Sequence, residues 1–409
     1  MRISNSSKAW DSNDSNRMPT EFQAHLNREL AAGLRQLAER NQSRELAEIS
    51  GVNLCSNDYL GLSGHPELKE AVLVAVSEAL RVGGTGSRLL SGHSALWDEL
   101  EAEFARFTGT EDALYFGSGY AANMGLLTSL LGKDDVVFSD ALNHASLIDG
   151  IRLSGAHREI FPHRDLNALE AALRGHERSS SRKLIVTETI FSMDGDVAPL
   201  AEIFKLADRY GAGVILDEAH ATAVHGPEGR GIAAELGLVS CATALVHTCS
   251  KALASAGAFV CGSALLKQHL VNHARTFLFT TALPPYMARQ VQAALRLARR
   301  MEAERGQLYK KARRFSAALA GDGWDTEGSV TQIVPVIVGE NEDALAAAGC
   351  AQREGFAVRA VRPPTVPAGK SRLRLSLTAM TPEQELHRLR DVLGAWRAGA
   401  WKAATAGCA

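Results

Sequence analysis

Lys251 is the residue around which the chemistry of this sequence can be built. It follows the apolar run 244–246, and Thr248 precedes it by three positions. A lysine that loses its proton in a closed site can act as a nucleophile. An earlier apolar run, 214–216, ends at Asp217. An acid and a lysine at two strand ends are what an enzyme needs to hold a pyridinium ring and to bond covalently to its aldehyde.

Two histidines and a serine could complete such a site. Asp217 could keep a pyridine nitrogen protonated by charge attraction, and His220 could then reach the ring hydroxyl. His144 stands just past a predicted strand, where its flat ring could stack on an aromatic cofactor, and Ser192 offers a hydroxyl to the ring or the substrate. Taken alone, these residues are more typical of a satisfied buried pair, a helix start and an Asp-Gly turn. Their combination with Lys251 favours the functional interpretation.

The glycine-rich segment 117–122 follows a predicted strand and opens a helix. Backbone amides at a helix start can hold a phosphate against the positive helix end. The same letters satisfy G-x-G-x-x-A, and Asp140 lies about twenty residues further on, so an NAD-dependent oxidoreductase stays open as an alternative. Nicotinamide chemistry, however, gives no role to Lys251 with Asp217. The helicase box spelled by residues 217–220 has no accompanying phosphate loop, which excludes a helicase.

Basic residues near the C-terminal end suggest a place for a carboxylate. Arg372 and Arg374 share one face of a predicted strand, and a planar guanidinium suits a carboxylate. His269 and His273 stand four positions apart, but no carboxylate or cysteine nearby completes a ligand set. We therefore predict a solvated helix face there and no metal site.

Composition limits the classes of partner. The chain has 409 residues with 22% charged and a formal net charge of −2, which gives no sign of a nucleic-acid or membrane surface and favours small-molecule partners. Six scattered cysteines without a C-x-x-C pair, and a start lacking the apolar segment of a secretory signal, predict a cytoplasmic protein with a disordered leader at 1–20. The uncharged run 113–132 is long enough to span a membrane, but its central glycines favour a strand, a turn and a helix.

Alternating apolar strands and helices indicate an α/β fold with a mostly parallel sheet covered on both faces. The pattern predicts strands at 113–116, 135–138, 157–161, 183–188 and 213–216, with helices at 119–131, 145–154, 166–174 and 199–210. It also predicts a first helix within 21–49, a helix from Pro66 to Gly83, two helical segments within 286–320, strands at 332–338, 356–361 and 371–378, and helices at 342–354 and 382–397. Ligands collect at the carboxyl ends of such strands, so Asp140, Glu188, Asp217 and Thr248 should converge.

The motifs together resemble the α-oxoamine synthases, which are pyridoxal-phosphate (PLP) enzymes of aminotransferase fold type I. The matching segments occur in family order along nearly the whole chain: 57–62, 118–123, 143–146, 191–196, 217–220, 248–251 and 362–367. The resemblance implies a mostly parallel seven-stranded sheet in a large domain and a smaller α+β C-terminal domain. The organisation we predict is a leader (1–20), an N-terminal helix and strand segment (21–60), a large PLP-binding domain (61–290), a small domain (291–400) and a tail (401–409), with the first helix packing on the small domain.

The resemblance also implies residue roles. Lys251 would bond to the cofactor aldehyde and later move the α-proton, Asp217 would pair with the pyridine nitrogen, His220 would contact the ring hydroxyl, and His144 would stack on the ring. Ser192 would face the cofactor. The resemblance gives the remaining residues these roles: Gly119, Tyr120, Thr248 and, from the other subunit of a homodimer, Thr281 for the phosphate; Asn57 and Arg374 for the amino-acid carboxylate; Arg35, Arg362 and Thr365 for the acyl donor.

Within the family, the turn at 362–367 followed by Arg-Leu-Arg-Leu most resembles the member that condenses L-alanine with a pimeloyl thioester and releases carbon dioxide. A glycine-using relative, or one that joins serine to a longer acyl chain, stays open, as does the carrier of the acyl group, coenzyme A or acyl carrier protein. A catalytically silent scaffold of this fold would lack the lysine, which this chain has.

Overall fold

The computed structural model describes residues 20–399. The predictions for the leader up to residue 19 and for the tail at 401–409 therefore lie outside the described residues. The helices are α1 (Glu21–Glu39), α2 (Pro66–Ser77), α3 (Ala95–Thr108), α4 (Gly119–Leu130), α5 (Ala145–Ser154), α6 (Leu166–Gly175), α7 (Leu200–Tyr210), α8 (Ile232–Glu235), α9 (Ala264–His273), α10 (Arg275–Leu278), α11 (Tyr286–Arg300), α12 (Glu302–Gly321), α13 (Asn341–Arg353) and α14 (Glu383–Arg397). The strands are β1 (Val52–Asn53), β2 (Asp112–Phe116), β3 (Val136–Asp140), β4 (His157–Phe161), β5 (Lys183–Glu188), β6 (Ala212–Asp217), β7 (Ala244–Thr248), β8 (Ala258–Gly262), β9 (Ile333–Gly339), β10 (Phe356–Ala357), β11 (Ala360–Val361) and β12 (Ser371–Ser376).

A seven-stranded sheet forms the centre of the protein, with strand order β2-β8-β7-β6-β5-β3-β4. All neighbouring pairs are parallel except those of β8, which runs antiparallel to both β2 and β7. The predicted mostly parallel α/β sheet is confirmed. Strand β8 was missed although Phe259 and Val260 favour a strand, because the strand is short and lies at the end of a segment that is otherwise rich in small residues.

Both faces of this sheet are buried, as parallel strands require. Successive residues of β2 show the alternation: Tyr115 packs into one apolar layer and Phe116 into the layer on the other face. None of the helices in the described residues combines the length and the apolar character needed to cross a bilayer. The uncharged run 113–132 is instead a buried strand, a turn and helix α4, as its glycines predict.

The C-terminal part is built around the three-stranded antiparallel sheet β11-β12-β9. The single strand predicted at 356–361 is wrong, since it is two short strands. β10 pairs in parallel with β1, near the start of the chain, whereas β11 pairs with β12. Long-range pairing with different partners splits the segment, and a local pattern does not carry that information. The predicted domain boundary near 290–300 falls in α11 and stays a prediction.

Two predicted helices are shorter than expected. Helix α1 ends before Asn41, which adopts a left-handed φ of 54°, a conformation that stops a helix. Helix α2 ends at Ser77, and beyond it Leu80 is fully exposed, so further turns would bury no apolar surface.

The first helix was expected to pack on the C-terminal unit. Within one chain α1 has no buried residue, so the helix itself does not pack there. The contact is made by the segment that follows it: Asn341 Nδ2 donates to Arg40 O at 2.8 Å, and Arg362 donates to the carbonyls of Asn41 and Ser43.

Candidate active site

Lys251 lies three residues beyond the end of β7 and points at His220, with 2.8 Å between Lys251 Nζ and His220 Nε2. Burial lowers the pKa of Lys251 to about 8, although the charges of Asp217 and Glu188 act to raise it. The amine therefore loses its proton far more readily than an exposed lysine. That property suits a nucleophile or a base near neutral pH.

His220 is buried and held on both sides. Its Nδ1 lies 2.6 Å from Tyr59 Oη, which itself donates to Asn57 Oδ1 at 3.0 Å. Burial, followed by the charge of Lys251, lowers the pKa of His220 well below its usual range. This network assigns the proton of the neutral ring to Nδ1 and leaves Nε2 as an acceptor facing Lys251.

Asp217 ends β6 and is buried. Its Oδ2 accepts from Asn123 Nδ2 at 2.7 Å, and its Oδ1 accepts from the backbone N–H of Ala219 at 2.9 Å. Asn123 Nδ2 also donates to Ser146 Oγ at 2.9 Å, and this hydroxyl lies 2.7 Å from His144 Nδ1. A continuous hydrogen-bonded line therefore connects Asp217 with His144.

Asn123, Ser146 and Tyr59 have no individual role in the prediction from sequence, although all three lie within the motifs 118–123, 143–146 and 57–62. The sequence does contain a signal for Asn123, because an amide side chain in the first turns of an apolar helix needs a polar partner when it is buried. Which carboxylate or hydroxyl would supply that partner depends on contacts between α4, α5 and β6. Those contacts join residues that are distant in the sequence.

The start of helix α4 faces the end of β7. Gly119 and Tyr120 are the first helical residues, and their N–H groups have no partner within the helix. A Cβ placed on Gly119 would lie 3.5 Å from Thr248 Oγ1, which is itself 3.0 Å from Ser250 Oγ. Backbone amides at the positive helix end, together with two hydroxyls, make a seat for a phosphate group. The Tyr120 ring lies edge-on to His144, 6.4 Å between centroids.

His144 is the N-cap of α5, and its Nδ1 accepts from the backbone N–H of Ser146. Loss of surrounding water lowers the pKa of His144, and the charge of Lys251 acts in the same direction while Asp217 opposes it. His144 is exposed within one chain. A neutral, flat ring at this place is free to stack on an aromatic ligand.

Arg374 on β12 brings the C-terminal unit to the site. It donates to Ser192 O, to Asn57 Oδ1 at 3.1 Å and to Ser376 Oγ at 2.6 Å. Asn57, Ser192 and Arg374 are thus assembled beside Tyr59 and His220. Arg372, which the sequence paired with Arg374, is instead buried in an ion pair with Asp194, and burial lowers its pKa to about 10.

Asp140 and Glu188 lie at the same edge of the sheet. Glu188 pairs in register with Asp217 and is buried. Burial, followed by the charge of Asp217, raises the pKa of Glu188 well above its usual range. Both carboxylate oxygens of Asp140 accept hydrogen bonds within the chain, from Leu142 N and His163 on one side and from Arg164 N on the other. Asp140 therefore offers no free carboxylate to a nucleotide ribose.

Four sequence-predicted residues are not brought to this group. Arg35 is exposed on α1, Thr365 is exposed, and Arg362 is bound to backbone carbonyls of the segment that follows α1. Thr281 is exposed, and its neighbour Ala282 donates its backbone N–H to Gly86 O at 2.9 Å, in the loop 83–88. Within the part of one chain that the structure describes, none of these four is hydrogen-bonded to Lys251, Asp217 or His220.

The assembled residues fit PLP. A readily deprotonated amine suits its aldehyde, a buried carboxylate suits its pyridinium nitrogen, and an open helix start with hydroxyls suits its phosphate. The combination of an α/β sheet with these groups at its carboxyl edge defines the class of protein. The chain belongs to the aminotransferase class I and II family, whose model matches residues 49–393.

Similar proteins with assigned names indicate which member of the family the chain resembles most. The chain is 46% identical over 378 residues to the 8-amino-7-oxononanoate synthase of Geobacter sulfurreducens, covering 89% of this chain and 96% of that protein. It is 46% identical over 339 residues to the enzyme of the same name from an Azoarcus species, covering 83% and 86% respectively.

Solved structures show the same fold. A serine palmitoyltransferase from Sphingomonas wittichii matches with a TM-score of 0.82 at 29% identity, covering 92% of this chain and 97% of that one. An 8-amino-7-oxononanoate synthase from Francisella tularensis matches with a TM-score of 0.75 at 25% identity, covering 86% and 99%. The predicted family and fold are confirmed, and the nicotinamide alternative is wrong.

Proposed function

We propose that this protein is a PLP-dependent 8-amino-7-oxononanoate synthase that condenses L-alanine with a pimeloyl thioester. The observation that carries the proposal is the environment of Lys251. Its amine lies against neutral His220, the charge of Asp217 acts on it, and its pKa is lowered to about 8. The named relatives support the choice of substrates.

PLP, when bound, supplies an electrophilic aldehyde and a ring that withdraws electrons from the α-carbon of the amino acid. We assign Asp217 to the pyridine nitrogen, where its negative charge favours the protonated ring. Gly119, Tyr120 and Thr248 hold the phosphate, His220 contacts the ring hydroxyl, His144 stacks on the ring, and Ser192 faces it.

Lys251 is the nucleophile toward the aldehyde and the base that removes the α-proton of alanine. The neutral state of His220 matters here, because a second cation at 2.8 Å would oppose protonation of Lys251. Asn57 and Arg374 bind the amino-acid carboxylate, for which a guanidinium provides paired donors. The α-carbon then attacks the thioester carbonyl, the thiol leaves, and the original alanine carboxylate departs as carbon dioxide.

The acyl side of the site and the assembly are parts of the same proposal. Arg35, Arg362 and Thr365 line the route of the acyl donor, which is carried on coenzyme A or on acyl carrier protein. Two chains form a homodimer with a shared site, to which the other subunit contributes Thr281. Its exposure within one chain is compatible with that role. We place the protein in the cytoplasm, with no nucleic-acid or membrane partner.

A substrate comparison tests the function. The purified protein is given L-alanine, glycine or L-serine with pimeloyl coenzyme A or pimeloyl acyl carrier protein, and the product and carbon dioxide are measured. We expect 8-amino-7-oxononanoate from L-alanine and no turnover by Lys251→Ala. A higher kcat/KM with glycine or serine would overturn the substrate assignment and leave the reaction class intact.

A second candidate follows from the solved structures. The serine palmitoyltransferases match with TM-scores up to 0.83, above the 0.75 of the 8-amino-7-oxononanoate synthase. Their identities of 28–29% are far below the 46% of the curated relatives, which is why we rank the alanine reaction first. Serine with palmitoyl coenzyme A is the pair that tests the second candidate.

A further inference from the structure

His163 lies between two turns that border the candidate active site. The His144 turn, residues 140–143, leads directly into His144 at the start of α5. The Ser192 turn, residues 191–196, carries Ser192 and is closed by the hydrogen bond from Phe191 N to Asp196 O at 3.0 Å. The side chains that join these two turns have no part in the proposed reaction.

Both ring nitrogens of His163 face carboxylates. Nδ1 lies 2.9 Å from Asp140 Oδ1 in the His144 turn, and Nε2 lies 2.8 Å from Asp196 Oδ2 in the Ser192 turn. An ionised carboxylate only accepts hydrogen bonds, so both nitrogens must carry a proton for both contacts to be favourable. The ring is therefore an imidazolium. Burial acts to lower its pKa, but the hydrogen bonds to Asp140 and Asp196 outweigh it and raise the pKa of His163 to about 9.

Arg164 strengthens the same connection. Its backbone N–H donates to Asp140 Oδ2 at 3.0 Å, and its Nη1 donates to Asp196 Oδ2 at 2.8 Å. The residue has a φ of 58°, which a side chain other than glycine rarely adopts. The two carboxylate contacts offset the cost of this conformation, which lets adjacent residues reach the same pair of acids.

The connection continues into the site on both sides. Asp140 Oδ1 also accepts from Leu142 N at 2.8 Å, which shapes the approach to His144. On the other side, Ser192 O accepts from Arg374 Nε. His163 therefore joins, through hydrogen bonds and short backbone segments, the turn that leads into His144 and the turn whose Ser192 carbonyl binds Arg374.

A metal site is the competing interpretation, because His163, Asp194 and Asp196 offer ligand atoms within 4.8 Å of one another. The carboxylate of Asp194 is paired with Arg372, and Arg164 brings a further positive charge to Asp196. Both nitrogens of His163 are already donors, so neither has a lone pair for a metal. The charges that face the imidazolium are those of Asp140, Asp196, Asp194 and Arg164.

We propose that His163, as an imidazolium, is a positioning residue that holds the His144 turn and the Ser192 turn at the separation needed to bind the cofactor and the amino acid. This inference rests on the proposed function. Loss of the proton or of the ring lets the turns move apart. The consequence is weaker binding of PLP and of the amino-acid carboxylate, with the chemical step changed less.

The test compares His163→Gln with His176→Gln in the full chain. Gln is neutral, and its one donor atom can replace only one of the two ring nitrogens that face the acids on opposite sides. His176 is a matched control, because it pairs with Glu159 at 3.2 Å and not with an acid of either turn. The PLP dissociation constant is measured by equilibrium titration between pH 7 and 10, alongside KM and kcat for L-alanine and the melting temperature. For His163→Gln at pH 7 we expect the PLP dissociation constant and KM to rise about tenfold, with kcat within about threefold, a size typical of residues that couple sites indirectly.

The pH profile provides a readout that a general loss of stability would not reproduce. The ratio of the variant's dissociation constant to that of the wild type should fall toward one as the pH passes about 9, since the wild type then loses the proton as well. Asp196→Asn is the second variant, and its effect should not add to that of His163→Gln. If His163→Gln binds PLP like His176→Gln at pH 7, or if the ratio is independent of pH, the positioning role is wrong. Failure of the wild type to bind PLP or to use alanine would instead overturn the proposed function.

Discussion

The residues assigned to the cofactor and those assigned to the acyl donor differ in how the fold holds them. Lys251, His220 and Asp217 follow the ends of neighbouring buried strands and are held by hydrogen bonds, among them 2.8 Å from Lys251 to His220 and 2.7 Å from Asn123 to Asp217. Arg35 and Thr365 are exposed, and Arg362 is bound to the backbone beyond α1. The contrast is that Lys251, His220 and Asp217 are brought together within one chain, whereas the residues assigned to the acyl donor are not.

The largest expected effect is at the centre of the buried group. Lys251→Ala should lower kcat by about a thousandfold or more, because it removes both the nucleophile and the base. Lys370→Ala, which removes an exposed lysine and its surface ion pairs with Glu327 and Asp325, is the control. Steady-state assays with L-alanine and pimeloyl coenzyme A measure the difference. Substantial turnover by Lys251→Ala would remove the chemical distinction between the two regions.

Asp217→Asn should lower kcat by about a hundredfold, since the amide keeps the shape and loses the charge that holds the ring proton. The melting temperature should also fall somewhat, because Asn123 Nδ2 and Ala219 N donate to different oxygens of Asp217 and the amide keeps only one acceptor. Asp134→Asn, in an exposed turn, is the control. If kcat survives and only the melting temperature falls, Asp217 is a structural residue.

The two arginines test the contrast directly. Arg374→Ala should raise KM for L-alanine by roughly tenfold to a hundredfold, because it removes a charged hydrogen-bond donor from a half-buried site. Arg362→Ala should raise KM for the pimeloyl thioester and leave that for L-alanine unchanged. Both constants are obtained by varying one substrate at a time. If Arg362→Ala alters the alanine constant more than the thioester constant, the division of the site into two regions is wrong.

The lowered pKa of Lys251 predicts a pH dependence for the apoprotein. The amine is protonated below about pH 8 and neutral above it, so the rate of combination with PLP should fall about tenfold per unit below pH 8 and level off above it. Stopped-flow absorbance between pH 6 and 10 measures this rate. The stability of the protein should also depend on pH. Because the pKa of Lys251 is lower in the folded protein than in the unfolded chain, the free energy of unfolding should increase as the pH rises from about 8 to the ordinary lysine pKa. If the midpoint of the rate profile lies near the ordinary lysine pKa, burial does not lower the pKa of Lys251.

The smallest effect is expected on stability at the acyl side. Arg362→Ala should lower the free energy of unfolding by at most about 1 kcal/mol, because its donors face solvent-accessible carbonyls. Asn123→Ala, in contrast, should cost about 1–3 kcal/mol, because Asp217 Oδ2 and Ser146 Oγ, both buried, each lose the hydrogen bond from Asn123. Chemical denaturation gives both values, and equal losses would mean that the two regions are held with similar strength.

Much of this protein is determined by the sequence by itself. The apolar strands with intervening helices predict the sheet, and the polar residues after the strands at Asp217 and Thr248 predict the edge at which ligands bind, because parallel strands place their carboxyl ends together. Some helix limits can also be predicted from single residues. Ser94 caps the start of α3, and Gly109 adopts the left-handed conformation that ends it.

Contacts between distant segments were decided only by the tertiary structure. Strand β8, the split of 356–361 into two strands, and the burial of Arg372 against Asp194 depend on partners far away in the chain. The same is true of the Asn123 bridge from Asp217 to His144 and of the imidazolium of His163. A side chain's periodicity shows which face it occupies, whereas its hydrogen-bond partner and its pKa depend on what the folded chain places opposite it.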